Sequence, residues 1–545
     1  MKVTESLYSK PAKSQVSITH YGTYFLKRRK KASMMHFAKI LAVLTGCASF
    51  CAAFEYYTFD GEGFPSCHNV TEVRDACSVA EVQTLVKNAA AGGGVQLRAG
   101  GKGHMWYDTQ CSDDATMIIR TEYLNRISDF SLEKGASEGT VIIEGGVTFF
   151  QLAEYLHVRG ANIGTGLVNW NISVGGSVAM GAHRTSIRED AAVVGGVLAM
   201  DIVDGSGEVR HIEKNEDDDT WLAASTSLGL LGVIVRLKMK IYPETKVYAM
   251  QKTLDEKDVL DGDIYGMISP YMTANFWWWP YKRKFHWRYY DVIPDNTSSQ
   301  NGFQSTFSIT ALEATAAHIL LDSGKYVQSS NWIAEATFFD IWDKPNFHDK
   351  VTDAAVTEWP VYGSNYDMLI GGLYPNQKPE WDYGLRGYTL ELAFPVTRAN
   401  EMLKRVRELF DEEEKKLIWM TATYRSGINI KFGKANFDFL GQVTTGTKDG
   451  QDWSKGAIMF DFPTYRPAVG DHKRFNEDFY IRLASTLIDE FPCRPHWTKN
   501  TRDVLRRAVK NLDKSFLARF KAVKDEFDPK GLYRSVVGEI LGMYN

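Results

Sequence analysis

In the first half of the chain, hydrophobic positions recur with helical and strand periods in short alternating pieces. Val82, Leu85, Val86 and Ala89 share one face of a helix predicted from Ser78 to Gly92, and the apolar run Val95-Gln-Leu after it predicts a short strand. Met117-Ile-Ile and Val141-Ile-Ile predict two more strands. Thr148-Phe-Phe-Gln forms a capping box, in which a hydroxyl and a side-chain amide three residues apart satisfy exposed backbone amides. It opens a helix carrying Phe150, Leu152, Tyr155 and Leu156 that ends at Gly160. Asp204-Gly-Ser-Gly turns a hairpin between Gly196-Val-Leu-Ala-Met-Asp-Ile-Val and Glu208-Val-Arg-His-Ile. A helix is predicted from Trp221 to Leu228. From Val233 to Tyr242, apolar Val235, Leu237, Met239 and Ile241 alternate with Arg236, Lys238 and Lys240, predicting a half-buried strand that ends at Pro243.

The texture changes after that proline, and a domain boundary is placed there. Aromatic-rich strands are predicted at Phe276-Trp-Trp-Trp-Pro-Tyr, Tyr388-Thr-Leu-Glu-Leu-Ala-Phe and Ala457-Ile-Met-Phe-Asp-Phe, with an amphipathic helix from Ala399 to Phe410 between them. This is the pattern of an α+β domain on an antiparallel sheet. Val504, Leu505, Ala508, Leu512, Phe516, Phe520 and Val523 lie on one stripe of a single helix predicted from Thr501 to Phe527. The organisation read is a leader over 1–53, a first domain over 54–245, a second over 246–500 and a helical tail over 501–545.

Two glycine-rich stretches interrupt the pattern. Arg98-Ala-Gly-Gly-Lys-Gly-His-Met-Trp-Tyr-Asp-Thr-Gln-Cys follows the first strand, and Gly100, Gly101 and Gly103 let the backbone turn its amides towards an anion such as a diphosphate. A third glycine and a following helix are missing, so it is not a dinucleotide fingerprint, and no Gly-Lys-Ser/Thr makes it a P-loop. From Asn162 to Ser186 the glycines return with interleaved small residues, read as a second wall for a flat ring or phosphate and punctuated by Ile172, Val174, Val178 and Met180.

Charge narrows the setting. Residues 1–53 hold nine Lys/Arg and one acid, which leaves 54 basic against 66 acidic residues, net −12, and argues against a nucleic-acid partner. Lys27-Arg-Arg-Lys-Lys, the apolar run Phe37 to Phe54 and Cys51-Ala-Ala read as a secretory signal peptide ending near Ala53 or as an uncleaved membrane anchor. Either places the body in an oxidising lumen, secreted or membrane-anchored. Cys67, Cys77, Cys111 and Cys493 follow the leader; without a Cys-x-x-Cys pair no metal site is expected, and a Cys67–Cys77 disulfide is. Glycosylation sequons stand at Asn69, Asn171 and Asn296, of which Asn171 is poorly placed if the second glycine stretch is a cofactor wall.

These stretches together resemble a known family. His104 with Cys111 seven residues later, Val174-Gly-Gly with Gly181-Ala-His183, Leu228-Gly-x-Leu-Gly-Val-Ile, Tyr465-Arg-Pro and Arg494-Pro-His-Trp-Thr-Lys resemble the FAD-linked oxidases of the vanillyl-alcohol oxidase type. Within these, the chain is similar to the sugar-1,4-lactone oxidases (gulonolactone and arabinonolactone oxidases) and alditol oxidases, over roughly residues 67 to 540. The resemblance implies a two-domain α+β fold, an FAD-binding domain completed by the tail and an antiparallel-sheet substrate cap. It implies FAD bonded covalently through His104 and a diphosphate on the amides of Gly100, Gly101, Lys102 and Gly103. The ribityl chain and ring would be lined by Gly166, Ser173, Gly175, Gly176, Gly181 and His183, with Met105, Val233 and Ile234 nearby.

In the family a Glu-x-Arg pair and the lysine of His-Trp-x-Lys bind substrate; here these positions are Asn429, Lys431 and Lys499, beside His496. An amide and an ammonium thus replace a carboxylate and a guanidinium, and Met105 stands where serine is usual. Flavin oxidation of an alcohol needs the hydroxyl proton removed and positive charge near the reduced ring. Lys499 suits either role, as a base if its pKa is depressed or as a fixed charge. His496 orients substrate or fills the core beside Trp497. The expected activity is oxidation of a sugar lactone or polyol with O₂ as acceptor. A dehydrogenase of the same fold using another acceptor and a catalytically silent carbohydrate-binding relative are the alternatives.

Overall fold

The computed structural model describes residues 54–57, 66–164, 171–297, 302–304, 309–324, 327–349, 351–369, 380–414, 426–466 and 476–544. The leader and Gly166 lie outside them. Ala53–Asn545 forms one compact unit. A small sheet carries β1 (Phe54–Tyr57), β2 (Ser66–Asp75), β3 (Gln96–Gly100) and β4 (Thr116–Arg120) in the order β1-β2-β4-β3. The helix Val79–Gly92 packs Val82 and Val86 onto Leu97 and Ile119, and Ser78 caps it by accepting from the Glu81 amide.

A second sheet is built from β5 (Ile127–Ser131), β6 (Gly139–Glu144), β9 (Val197–Val203), β10 (Val209–Glu213) and β11 (Val233–Pro243), in the order β10-β9-β11-β6-β5. The short β7 (Ala161–Asn162) pairs with the end of β11. The Thr148 capping box opens the helix Phe149–His157, which covers this sheet with Leu152 and Leu156. Phe516, Phe520 and Val523 of the tail enter the same core, and the Leu97 amide donates to the Leu532 carbonyl.

The third sheet is the largest. Its order is β17 (Val361–Ser364), β12 (Lys246–Asp255), β14 (Lys284–Ile293), β13 (Thr273–Trp279), β19 (Ile428–Lys434), β20 (Ala457–Arg466), β18 (Arg386–Pro395) and β21 (Arg494–Pro495). β8 (Ser186–Asp190), from the second glycine stretch, joins it parallel to β19. A separate pair, β15 (Gly302–Gln304) and β16 (Phe347–Asp349), completes the strands. The helices Ala399–Glu414 and Glu477–Glu490 cover one face, and Gln328–Trp342 packs Phe338 and Trp342 against the other, beside Trp277 and Trp279.

Three expectations are corrected. Cys67 pairs with Cys111, with Cα atoms 5.2 Å apart, and Cys77 is a free exposed thiol. The reason is geometric: ten residues of extended β2 separate Cys67 from the Cys77 end, roughly 30 Å of strand at about 3.3 Å per residue. The single helix expected from Thr501 to Phe527 is instead two, Arg502–Ala508 and Lys514–Phe527, because Asp513 accepts from the Ser515 and Phe516 amides and caps a new start. The helix predicted from Trp221 is Asp219–Ala224, since Leu228 and Gly229 turn at φ 53° and 66°. The disulfide ties the exit of the first glycine loop to β2 across 44 residues. Cys67→Ser is therefore expected to lower the unfolding free energy by about 2–4 kcal/mol. Urea denaturation checks this, and an unchanged midpoint would contradict it.

Candidate active site

β3 ends at Gly100, and the chain turns with Gly103 at φ 72°, a conformation that strains any side chain. A Cβ on Gly101 would lie 2.4 Å from Ser173 Oγ, and one on Gly175 would lie 2.6 Å from the Gly145 carbonyl oxygen. Gly101 thus lets the first stretch close on Ser173 of the second, and Gly175 lets the second pack on the Gly145 backbone after β6. Between them opens a cavity of about 360 Å³ that continues to the third sheet.

Gly100, Gly101, Lys102, Gly103, His104 and Met105 line the cavity on one side. Ser173, Gly175, Gly176 and His183 line it on the other, with Ile234 between. Two expected wall residues do not. Val233 points into the core because side chains alternate along β11 and Ile234 takes the cavity side, while Gly181 faces Thr226. Lys102 is exposed and pairs with Glu122 at 3.1 Å. Beneath the loop, Arg98 is buried and donates to the carbonyls of Gln110, Leu228, Gly229 and Tyr533. It forms no ion pair with a carboxylate among the described residues, so its charge adds to the anion-attracting amides of the turn. An exposed Asn171 stands at the other wall, so that sequon is not enclosed as expected.

The far wall is the face of the third sheet, and register assembles it. Trp277 pairs with Asn429, Asn429 with Asp461, and Asp461 with Glu391, so one row across four strands faces the cavity region. Lys499, reached through the loop after β21, donates to Glu391 Oε2 at 2.5 Å and Asp461 Oδ2 at 2.8 Å. Lys431 donates to Asp461 Oδ2 at 2.9 Å and lies 3.5 Å from Glu391 Oε2. Thr389 Oγ1 donates to Asp461 Oδ1 at 2.7 Å. Asn500 fixes the Glu391 backbone through both its amide and its carbonyl.

His183 binds this cluster to the glycine wall. Its Nε2 lies 2.5 Å from Glu391 Oε1 and its Nδ1 lies 3.0 Å from the Arg184 carbonyl oxygen. Both partners are oxygen acceptors, so the ring bridges the Glu391 carboxylate and the Arg184 backbone. His496 differs: its Nδ1 accepts from the Thr498 amide at 3.2 Å, which puts the proton of the neutral ring on Nε2. His183, Glu391 and His496 converge closely enough to resemble a metal-ligand set. Both Glu391 oxygens are already held by His183 and Lys499, so the trio is a hydrogen-bonded network.

The electrostatics follow from this packing. Burial alone would raise the Glu391 carboxyl pKa, but Lys431, Lys499 and His183 override it and hold the group well below the carboxylate range. Burial opposes the Lys499 charge, but Asp461 and Glu391 outweigh it and raise the ammonium above its ordinary pKa. Lys499 is thus a fixed cation and not the depressed-pKa base that was one of its two expected roles. Burial pushes His104 down to about 3, with Lys499 adding to the effect, so its imidazole is neutral. Burial likewise holds His496 well below its usual value.

Glu391 and Asp461 were missed in the sequence. The signal available was a single carboxylate inside an apolar run, Leu390-Glu-Leu and Phe460-Asp-Phe.

A glycine turn and an opposing glycine wall that exclude any Cβ, above a buried guanidinium and beside a cavity-lining neutral histidine, fit a diphosphate-linked flavin. The FAD binding domain model matches residues 73–213, and the model for D-arabinono-1,4-lactone oxidase matches 381–539. L-gulonolactone oxidase 2 of Arabidopsis thaliana is 26% identical over 470 residues, covering 79% of this chain and 74% of the relative. D-arabinono-1,4-lactone oxidase of Kluyveromyces lactis is 28% identical over 209 residues, 38% of each chain. Among solved structures, a solvent-stable cholesterol oxidase superimposes with TM-score 0.70 at 16% identity, covering 90% of this chain and 97% of that one. A VAO-type flavoprotein from Myceliophthora thermophila C1 gives 0.55 at 11%, covering 84% and 78%. Fold and site define an FAD-dependent oxidoreductase. The chain carries an FAD binding domain and a region matching the D-arabinono-1,4-lactone oxidase family, and it is similar to the gulonolactone and arabinonolactone oxidases.

Proposed function

We propose that this protein oxidises a CH–OH carbon of a sugar-1,4-lactone or related polyol, with O₂ as the final acceptor. The observation that carries this reading is the buried Lys499, Glu391, Asp461 and Lys431 cluster opening into the cavity that His104 and the glycine turn line. Bound FAD supplies the hydride acceptor and passes the electron pair to O₂. The two ammonium groups of Lys499 and Lys431 are positive charge preorganised beside the cavity for the negative charge that develops during reduction. Asp461, the cavity-lining carboxylate, accepts the proton of the substrate hydroxyl, because Lys499 is already protonated and His496 offers only Nε2–H. Asn429 Oδ1 has no hydrogen-bond partner among the described residues and accepts from a second hydroxyl.

His104 is assigned the covalent link to FAD. Because its imidazole is neutral far below pH 6.5, attachment of added FAD to the apoprotein is expected at a constant rate between about pH 5 and pH 8, as the titration lies near 3. Acid precipitation should retain the yellow colour, and His104→Ala should release it; a rate that halves near pH 6.5, or colour retained in the variant, would contradict the assignment.

A secretory destination is supported by the Cys67–Cys111 disulfide and by exposed Asn69 and Asn296 in sequons. No helix among the described residues is long and apolar enough to cross a membrane. A peroxide screen over 1,4-lactones, alditols and oligosaccharides tests the activity. Flavin bleaching by a lactone without peroxide in air would favour the dehydrogenase alternative, and no response to any sugar would favour the silent one.

A further inference from the structure

We infer that the cap end of the cavity accepts a carboxylate, so that the substrates are carboxylated sugar derivatives longer than one ring; this rests on the oxidase reading above. Arg288 on β14 is 0% exposed, paired in register with Gln251 on β12 and Asn275 on β13. Its Nε and Nη2 donate to Gln251 Oε1 at 3.0 and 2.8 Å, while Nη1 makes no close hydrogen bond among the described residues. Its guanidinium carbon lies 4.6 Å from the Trp277 ring centroid, 4.8 Å from Trp359, 5.6 Å from Trp342 and 5.9 Å from Phe347.

Among the described residues no carboxylate pairs with it, whereas Lys431 and Lys499 on the same sheet face are each matched. Ring faces stabilise a desolvated cation but bring no negative charge. A buried charge left without a counter-charge is costly. Trp277, Tyr290 and Trp342 form the cavity wall in front of Arg288. The Tyr290 phenol oxygen hydrogen-bonds the guanidinium, which leaves its O–H to donate, and Trp342 Nε1 is a second buried donor without a partner among the described residues. Donors without acceptors, backed by an uncompensated cation, complement an anionic oxygen group. Three strand spacings of about 4.8 Å separate β14 from β20, so the carboxylate would bind roughly 14 Å from Asp461, beyond the length of one sugar ring.

Lactobionate and lactitol differ in one carboxylate replacing a hydroxymethyl group, and their binding to the anaerobic holoenzyme can be read from the perturbed visible spectrum of the flavin. The parent is expected to bind lactobionate at least about tenfold tighter, the effect of one charged hydrogen bond. Arg288→Met should remove that preference and Tyr290→Phe should reduce it. Equal affinities in the parent, or a full preference in Arg288→Met, would overturn the inference. Should Arg288→Met not fold, the Tyr290→Phe/Trp342→Phe double variant decides, and an undiminished preference there overturns it. A neutral lactone that bleaches the flavin while the two probes bind alike defeats this inference alone; absence of bleaching by every sugar defeats the oxidase reading itself.

Discussion

Lys499→Met is expected to abolish reduction of the flavin by a sugar lactone while the flavin stays bound. Lys499 donates to Glu391 and Asp461 and lines the cavity at its sheet end, and no hydrogen bond to Gly100, Gly101 or Gly103 is among its contacts in the described residues. Its ammonium is held charged by two carboxylates, so removing it deletes fixed positive charge where electrons arrive and leaves Asp461 with Lys431 and the Thr389 hydroxyl. Loss of one preorganised donor at a developing anion costs about 10²–10³ in rate, and the loss of a full charge is expected at or above the top of that range. Anaerobic stopped-flow reduction measures this directly. A variant that reduces its flavin within about tenfold of the parent rate would remove Lys499 from the chemistry.

The second large effect is on stability. Glu391→Gln leaves Lys431, Lys499 and His183 facing each other around a neutral amide, in a site with 0% exposure for Glu391. Breaking a buried ion pair by neutralising one partner costs about 3–5 kcal/mol. Glu391→Gln is accordingly expected to lower the urea midpoint strongly, with Glu391→Asp recovering part of it. The pH dependence carries a sign. Because the folded carboxyl is held below its unfolded value of 4.5, the parent keeps this contribution above that pH and loses it as pH falls through the folded value. Lys499 gives the opposite limb: its folded pKa is raised above 10.5, so its contribution is present below that pH and is lost as pH rises through the folded value. Glu391→Gln should lack the acid limb. An unchanged stability profile below pH 5 would show that the pair is not coupled to folding.

What the sequence revealed and what it hid follow from the range of each interaction. Gly103 is a local requirement of a turn, so the first wall could be read from composition, and the Thr148 capping box spans three residues. Lys499 was legible through its short His-Trp-x-Lys context. Glu391 and Asp461 lie 70 residues apart and meet only because β18 and β20 pair in one register, which no window on the chain contains. The loss of the family's carboxylate at Asn429 looked like a change of chemistry; its neighbour across the ladder is Asp461, so the row retains an anion one strand away. The disulfide was misassigned by sequence proximity, because a strand turns ten residues into distance. The tail's apolar stripe ran unbroken through Leu512, although Asp513 starts a second helix there.

The most direct test of the oxidase reading is to mix the purified holoprotein with L-gulono-1,4-lactone without oxygen and then admit air. The expected result is bleaching of the flavin's visible band by the lactone, followed by its return with one equivalent of peroxide. A band that the lactone and every related polyol leave unchanged, in protein shown to contain bound FAD, would contradict it.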